Sequence, residues 1–319
     1  MAVRTLGDTG LPVSRLGLGL AALGRPGYIN LGHAGDLAGE TGVAAMEARA
    51  HELLDAAYTA GVRYLDAARS YGRAEAFLGS WLRARGLGAA DVTVGSKWGY
   101  TYTAGWSVDA TVNEVKDLSI DTLRRQEQET RSELGDRLAL YQIHSATLES
   151  GVLDNHDVAA ELARLRLSGV RIGFTCTGPR QRETIERAID LGTFDAVQAT
   201  WNLLDPAAGP ALAAAHAAGL GVIVKEAVAN GRLTARGDVP ELIAAARDAG
   251  VSPDALALAA VLAQPWVDVV LSGASTTAML ASNLAALDIT LDQSMLDRLS
   301  SLAEPPEDYW QTRAALPWN

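Results

Sequence analysis

Eight short runs rich in Val, Ile and Leu recur along this chain, and a longer segment of helical period follows each of them. The candidate strands are residues 15–19, 63–66, 92–97, 138–143, 170–175, 196–198, 221–225 and 267–271. The candidate helices lie at 44–60, 73–84, 111–131, 157–167, 180–191, 207–218, 241–249 and 276–286. Buried strands that alternate with amphipathic helices are what parallel βαβ units look like in sequence. Gly61, Gly169, Gly192 and Gly219 fall just past four of these helices, where a left-handed cap residue belongs. Eight such units predict a sheet closed into a (β/α)8 TIM barrel. An open doubly wound sheet is the alternative, but no G-x-G-x-x-G follows the first strand, where Gly17 and Gly19 form only a fragment.

The flanking segments complete the plan. VRTLGDTGLPVS predicts a β-hairpin that plugs the N-terminal mouth of the barrel. Residues 255–262 add a short helix, 291–302 carry helical spacing, and the tail EPPEDYWQTRAALPWN is polar and aromatic. With no internal repeat or linker, residues 1–319 read as a single barrel domain.

Composition removes several classes of function. A net charge of −11 with no basic tract offers no field for a nucleic-acid backbone. No apolar run approaches the roughly 20 residues that cross a bilayer, and the first residues lack the pattern of a secretory signal. The single cysteine, Cys176, excludes an internal disulfide and reads as a small core residue. The chain reads as cytoplasmic, and no metal site is expected.

In such barrels the C-terminal ends of the strands carry function. The second strand ends at Asp66, the third at Lys97 and the fourth just before His144, while Tyr71 follows Asp66 by five residues. Four ionisable groups of different types are thereby predicted to converge on one mouth. The chain holds only three lysines, Lys97, Lys116 and Lys225, and two of them end strands. A compact ammonium on a flexible stem has uses that arginine cannot replace. Taken singly, each residue has a plain reading: a lysine reaching solvent, a tyrosine with a wet hydroxyl, a capping aspartate, a core histidine.

Together they resemble the aldo-keto reductases. YLDAARSYGRAEAFLGSWL resembles the family segment that holds an Asp at the end of the second strand and a Tyr five residues on; VTVGSKWGY and LALYQIHSA resemble its lysine and histidine strands. The resemblance covers nearly the whole chain and implies NAD(P)(H) bound without a Rossmann domain, and transfer of hydride to or from a small-molecule carbonyl or alcohol. Hydride arriving at a carbonyl leaves charge on oxygen, which needs a proton donor. Tyr71 is the implied donor. Lys97 would be the positive neighbour that its phenolate needs, Asp66 would fix that ammonium, and His144 would orient the carbonyl.

The same resemblance points to cofactor contacts. Gln198 matches a glutamine that bonds the carboxamide, whereas Thr175 and Cys176 stand where the family has Ser-Asn. Lys225 occupies the end of the seventh strand, where the family often stacks an aromatic ring, so Trp201 is the remaining stacking candidate. LSGASTTAMLASNLAAL resembles the adenosine-phosphate loop, with Ser272, Gly273, Ser275, Thr276 and Asn283 at matching positions, but Met279 replaces its usual basic residue. A hydroxyl pair at a helix start still favours NADP(H) over NAD(H). Aromatic residues in the loops, Tyr28, Trp98, Trp106 and Trp310, are the expected substrate walls. Other readings are an NAD-linked sugar dehydrogenase, a catalytically silent barrel, and a lyase forming a Schiff base on Lys97 or Lys225.

Overall fold

The computed structural model describes residues 2–319. The chain opens with the expected hairpin, β1 (Val3–Thr5) paired antiparallel to β2 (Pro12–Ser14). There follow β3 (Leu16–Gly19), α1 (His33–Leu37), α2 (Val43–Thr59), β4 (Tyr64–Asp66), α3 (Ala74–Arg85) and β5 (Thr93–Trp98). A small arm of β6 (Tyr100–Tyr102) and β7 (Glu114–Lys116) precedes α4 (Ile120–Leu134), β8 (Leu138–Ala146), α5 (His156–Leu167), β9 (Arg171–Cys176), α6 (Gln181–Leu191) and β10 (Ala196–Thr200). Then come α7 (Gly209–Ala217), β11 (Gly221–Lys225), α8 (Pro240–Ala249), α9 (Pro253–Leu262), β12 (Val269–Ser272), α10 (Thr277–Ala285), α11 (Gln293–Ser300) and α12 (Pro306–Ala314).

The eight predicted strands close into one parallel barrel in the order β3-β4-β5-β8-β9-β10-β11-β12, with β12 pairing back onto β3. A core of aliphatic and aromatic side chains, Leu54, Phe77, Trp81, Leu123 and Phe174 among them, fills the space between barrel and helices. Inside the N-terminal mouth, Leu6 and Val13 of the hairpin segment pack on Tyr64, Leu140, Ile223 and Val269. The hairpin turn needs glycine there: Gly7 has φ +47, and a Cβ on it would lie 2.4 Å from the amide nitrogen of Gly221. Among the described residues no helix is long and apolar enough to cross a membrane.

Two segments depart from the sequence reading. The helix expected over 111–131 begins only at Ile120, because Ser119 caps it and β7 pairs with β6. In VNEVK the two valines stand three apart, a spacing that reads as helical and hid the ribbon. The tail is not irregular: Pro306 opens α12, Glu307 and Asp308 lie in its first turn, and Tyr309 and Trp310 are buried beside Leu203 and Leu233.

Candidate active site

The carboxylate of Asp66, at the end of β4, is 2% exposed and accepts from three side chains. Lys97 of β5 forms an ion pair with it, Tyr64 Oη donates at 3.1 Å and Gln198 Nε2 at 3.0 Å. Lys97 Nζ also donates to the carbonyl of Ala67 at 3.0 Å and lies 4.9 Å from the centroid of the Tyr71 ring. Tyr71 sits in the turn between β4 and α3, whose first loop contact is so close that a Cβ on Gly24 would fall 2.1 Å from the Tyr71 carbonyl oxygen. His144 comes from β8 and meets the Tyr71 ring edge to face at 5.5 Å. A register irregularity between Ile143 and Ala146, with Ser145 at φ +56, turns this part of β8 toward the barrel mouth. The structure therefore brings Asp66, Tyr71, Lys97 and His144 together.

Burial governs their charges. Burial first, and then the nearby Asp66 carboxylate, push the Tyr71 hydroxyl well above its ordinary value, while the Arg25 guanidinium pulls the other way. Burial, then Lys97 and Lys225, hold the His144 imidazole well below its ordinary value. The site thus presents a protonated phenol and a neutral imidazole at neutral pH. A second cation beside Tyr71 is Arg25, which sequence reasoning did not single out. Arg25 is 3% exposed, lies 5.4 Å from the Tyr71 ring and 4.5 Å from that of Trp318, and pairs with Glu114 at 2.9 Å. It stands six residues past the end of β3, in a loop whose course carries no local sequence signal.

Asp66, Tyr71, His144 and Arg25 line a cavity of about 580 Å³. Gln198, Lys225, Ser272, Gly273 and Asn283 line the same cavity. A Cβ built on Gly273 would meet nothing within 4 Å, so the backbone there faces open space. Ser272 Oγ donates to Asn283 at 2.7 Å, and Asn283 donates to Asp254 at 2.9 Å. An extended dinucleotide fits such a groove, with polar groups at both ends and glycine backbone at one. Other expected contacts lie elsewhere. Thr175 is fully buried and accepts from the Ser145 amide at 2.7 Å, so it braces β8 while Thr177 lines the cavity. Thr276 caps α10 through the Met279 amide, and Ser275 donates to Asp36 at 3.1 Å.

Asp36 lies in α1, within the glycine-rich segment 24–42, and Tyr28, Ile29, Asn30 and Leu31 of that segment line the cavity. Arg236, on the loop after β11, pairs with Asp36, donates to the Leu31 carbonyl at 3.1 Å and lines the cavity as well.

Of the expected substrate walls, only Tyr28 lines the cavity. Trp98 is fully buried in the core, since the strand runs one residue past Lys97 and turns it outward from the barrel. Trp106 donates to the Thr41 carbonyl at 2.7 Å, and Trp310 donates to Asp205 at 2.9 Å, so both brace loops instead. Trp201 packs on Trp266 at 5.7 Å, away from this cavity. The aromatic wall the sequence did not point to is Trp318.

The family model described as the Aldo/keto reductase family matches residues 15–304. Among solved structures, a Pseudomonas aeruginosa protein assigned to the aldo-keto reductases is 26% identical, with 93% of this chain and 95% of that one covered and a TM-score of 0.66. A second Pseudomonas aeruginosa structure with that assignment is 27% identical over 93% of this chain and 94% of the other, with a TM-score of 0.65. The holo form of an aldo-keto reductase from Bacillus halodurans is 22% identical over 96% and 97% of the two chains, with a TM-score of 0.74, a likeness of fold. Comparison with curated proteins gives no match.

Proposed function

The chain belongs to the aldo/keto reductase family, and on that premise we propose that it is an NAD(P)(H)-dependent oxidoreductase interconverting an aldehyde or ketone with the alcohol, with Tyr71 as general acid and base. The observation that carries this reading is a single cavity lined both by Tyr71 and His144 and by Ser272, Gly273 and Asn283. The bound nicotinamide would supply the hydride. The rest is the work of the chain, acting as one domain over residues 1–319. Protonated Tyr71 gives its proton to the carbonyl oxygen, and neutral His144 donates a hydrogen bond to the same oxygen. Lys97, fixed by Asp66, and Arg25, fixed by Glu114, flank the Tyr71 ring and stabilise the charge that the ring acquires.

The groups suited to the nucleotide are Gln198, Lys225, Ser272, Gly273 and Asn283 of the cavity wall. Ser275 and Thr276 act one step back, by holding the loop and the start of α10. We assign a modest preference for NADP(H) over NAD(H), because Arg236 offers a 2′-phosphate its cation while Asp254 at the same end opposes it. Tyr28 and Trp318 form the aromatic side of the substrate space. A Schiff base on Lys97 is disfavoured, since that ammonium is buried against Asp66. Titration of the purified protein with NADPH and with NADH, followed by tryptophan quenching, tests the reading. Saturable binding of either supports it, and their ratio measures the contribution of Arg236. Failure of the folded protein to bind both would overturn it.

A further inference from the structure

Lys225, the last residue of β11, lines the same cavity as Tyr71, His144 and the Ser272 loop. Lys97 is paired with Asp66, Arg25 with Glu114, and Arg313 grips both oxygens of Glu226 at 2.9 and 3.0 Å. Lys225 lies 3.7 Å from that same Glu226, whose carboxylate Arg313 already occupies. Among the described residues, the one hydrogen bond of its ammonium is to Thr200 Oγ1 at 2.8 Å. Two cations therefore share one carboxylate, and the surplus positive charge faces the cavity. Burial first holds the Lys225 ammonium below its ordinary value, with Glu226 opposing and Arg313 adding to the effect, in keeping with a charge that lacks full compensation.

This inference rests on the oxidoreductase reading above. On that reading the nicotinamide would be held near Tyr71 and His144, in the cavity that Gln198 and Lys225 also line, and when bound it would supply the hydride. The reduced ring is neutral and the oxidised ring carries a full positive charge. An oxidised ring held there would meet the Lys225 ammonium as a like charge, whereas a reduced ring would not. We propose that Lys225 selects the redox state of the cofactor: it disfavours the oxidised form, so that the site holds the reduced form more tightly and works mainly toward carbonyl reduction. Two like charges a few ångströms apart in a partly buried site differ by more than about tenfold in binding from a charge beside a neutral ring.

The test is equilibrium binding of reduced and oxidised cofactor, each separately, to wild-type protein and to the variants Lys225→Met, Lys225→Gln and Lys225→Arg, with folding checked by circular dichroism. The wild type and Lys225→Arg should bind the reduced form at least about tenfold more tightly than the oxidised form. Lys225→Met and Lys225→Gln should bring that ratio toward one, the oxidised form gaining relative to the reduced form. An unchanged ratio in both neutral variants, or an equal loss for both forms, overturns the proposal. If folded wild-type protein binds neither form, the oxidoreductase reading falls and this inference with it.

Discussion

Asp66 and Asp268 are both nearly fully buried aspartates at strand ends of one barrel, yet they stand at opposite mouths and do opposite things. Asp268, just before β12, accepts from the backbone amides of Gly7 at 3.2 Å and Val222 at 2.9 Å, which staples the hairpin to the N-terminal mouth. Asp66 accepts from Lys97, Tyr64 and Gln198, all of them side chains of barrel strands. Backbone partners make a carboxylate a fixed part of the fold. Side-chain partners let it set the charge of its neighbours, and at this second mouth a cavity lies beside it. The two sites teach that burial of an ionisable residue is not by itself a sign of chemistry; the nature of its partners is.

The comparison breaks first at Tyr71. Tyr71→Phe should leave cofactor affinity and thermal stability near wild type and lower kcat for a good carbonyl substrate by at least ~10²-fold, the usual scale for a lost general acid. Near-wild-type turnover would remove Tyr71 from that role. Asp66→Asn should come next. It leaves Lys97 buried without its counter-charge, and kcat should fall roughly tenfold to a hundredfold. A variant that only melts earlier, with kcat intact, would make Asp66 a staple like Asp268.

The barrel was legible because its signal repeats: eight short apolar runs, each followed by a helical segment, leave few topologies. Asp66, Lys97 and His144 were legible for a related reason, since the C-terminal ends of the barrel strands all open on one mouth. Residues on loops have no such constraint. Arg25, Arg236 and Trp318 reach the cavity from segments whose course depends on tertiary contacts such as the Asp36–Arg236 pair and the antiparallel hydrogen bonds between Tyr28 and Asn319. Trp98, Trp106 and Trp310 misled because a large aromatic in a loop is as useful for bracing as for lining a pocket. Lys225 was visible as a strand-end lysine, but its surplus charge depends on Arg313, 88 positions away in α12.

A smaller effect is expected at the other mouth. Asp268→Ala leaves the amides of Gly7 and Val222 without a partner and should cost about 1–3 kcal/mol of stability, a shift of a few degrees in Tm, with kcat/KM unchanged. Loss of activity in protein that is still folded would mean that the two mouths are coupled and would end the distinction drawn between them.

The smallest effect expected is an absence of change with pH, and it tests how dry the functional mouth is. The Tyr71 hydroxyl is held well above its ordinary value, so raising the pH removes its proton only in the strongly alkaline range. The His144 imidazole is held well below its ordinary value, so lowering the pH charges it only in the acid range. Between those limits the phenol stays protonated and the imidazole neutral. Reductive kcat at saturating cofactor should therefore stay flat from about pH 6 to about pH 9, across the interval where an unperturbed histidine titrates. A limb centred near the ordinary histidine value, and abolished by His144→Ala, would mean that water reaches the imidazole during turnover. The desolvation that separates the surroundings of Asp66 from an open strand end would then be lost when the site works.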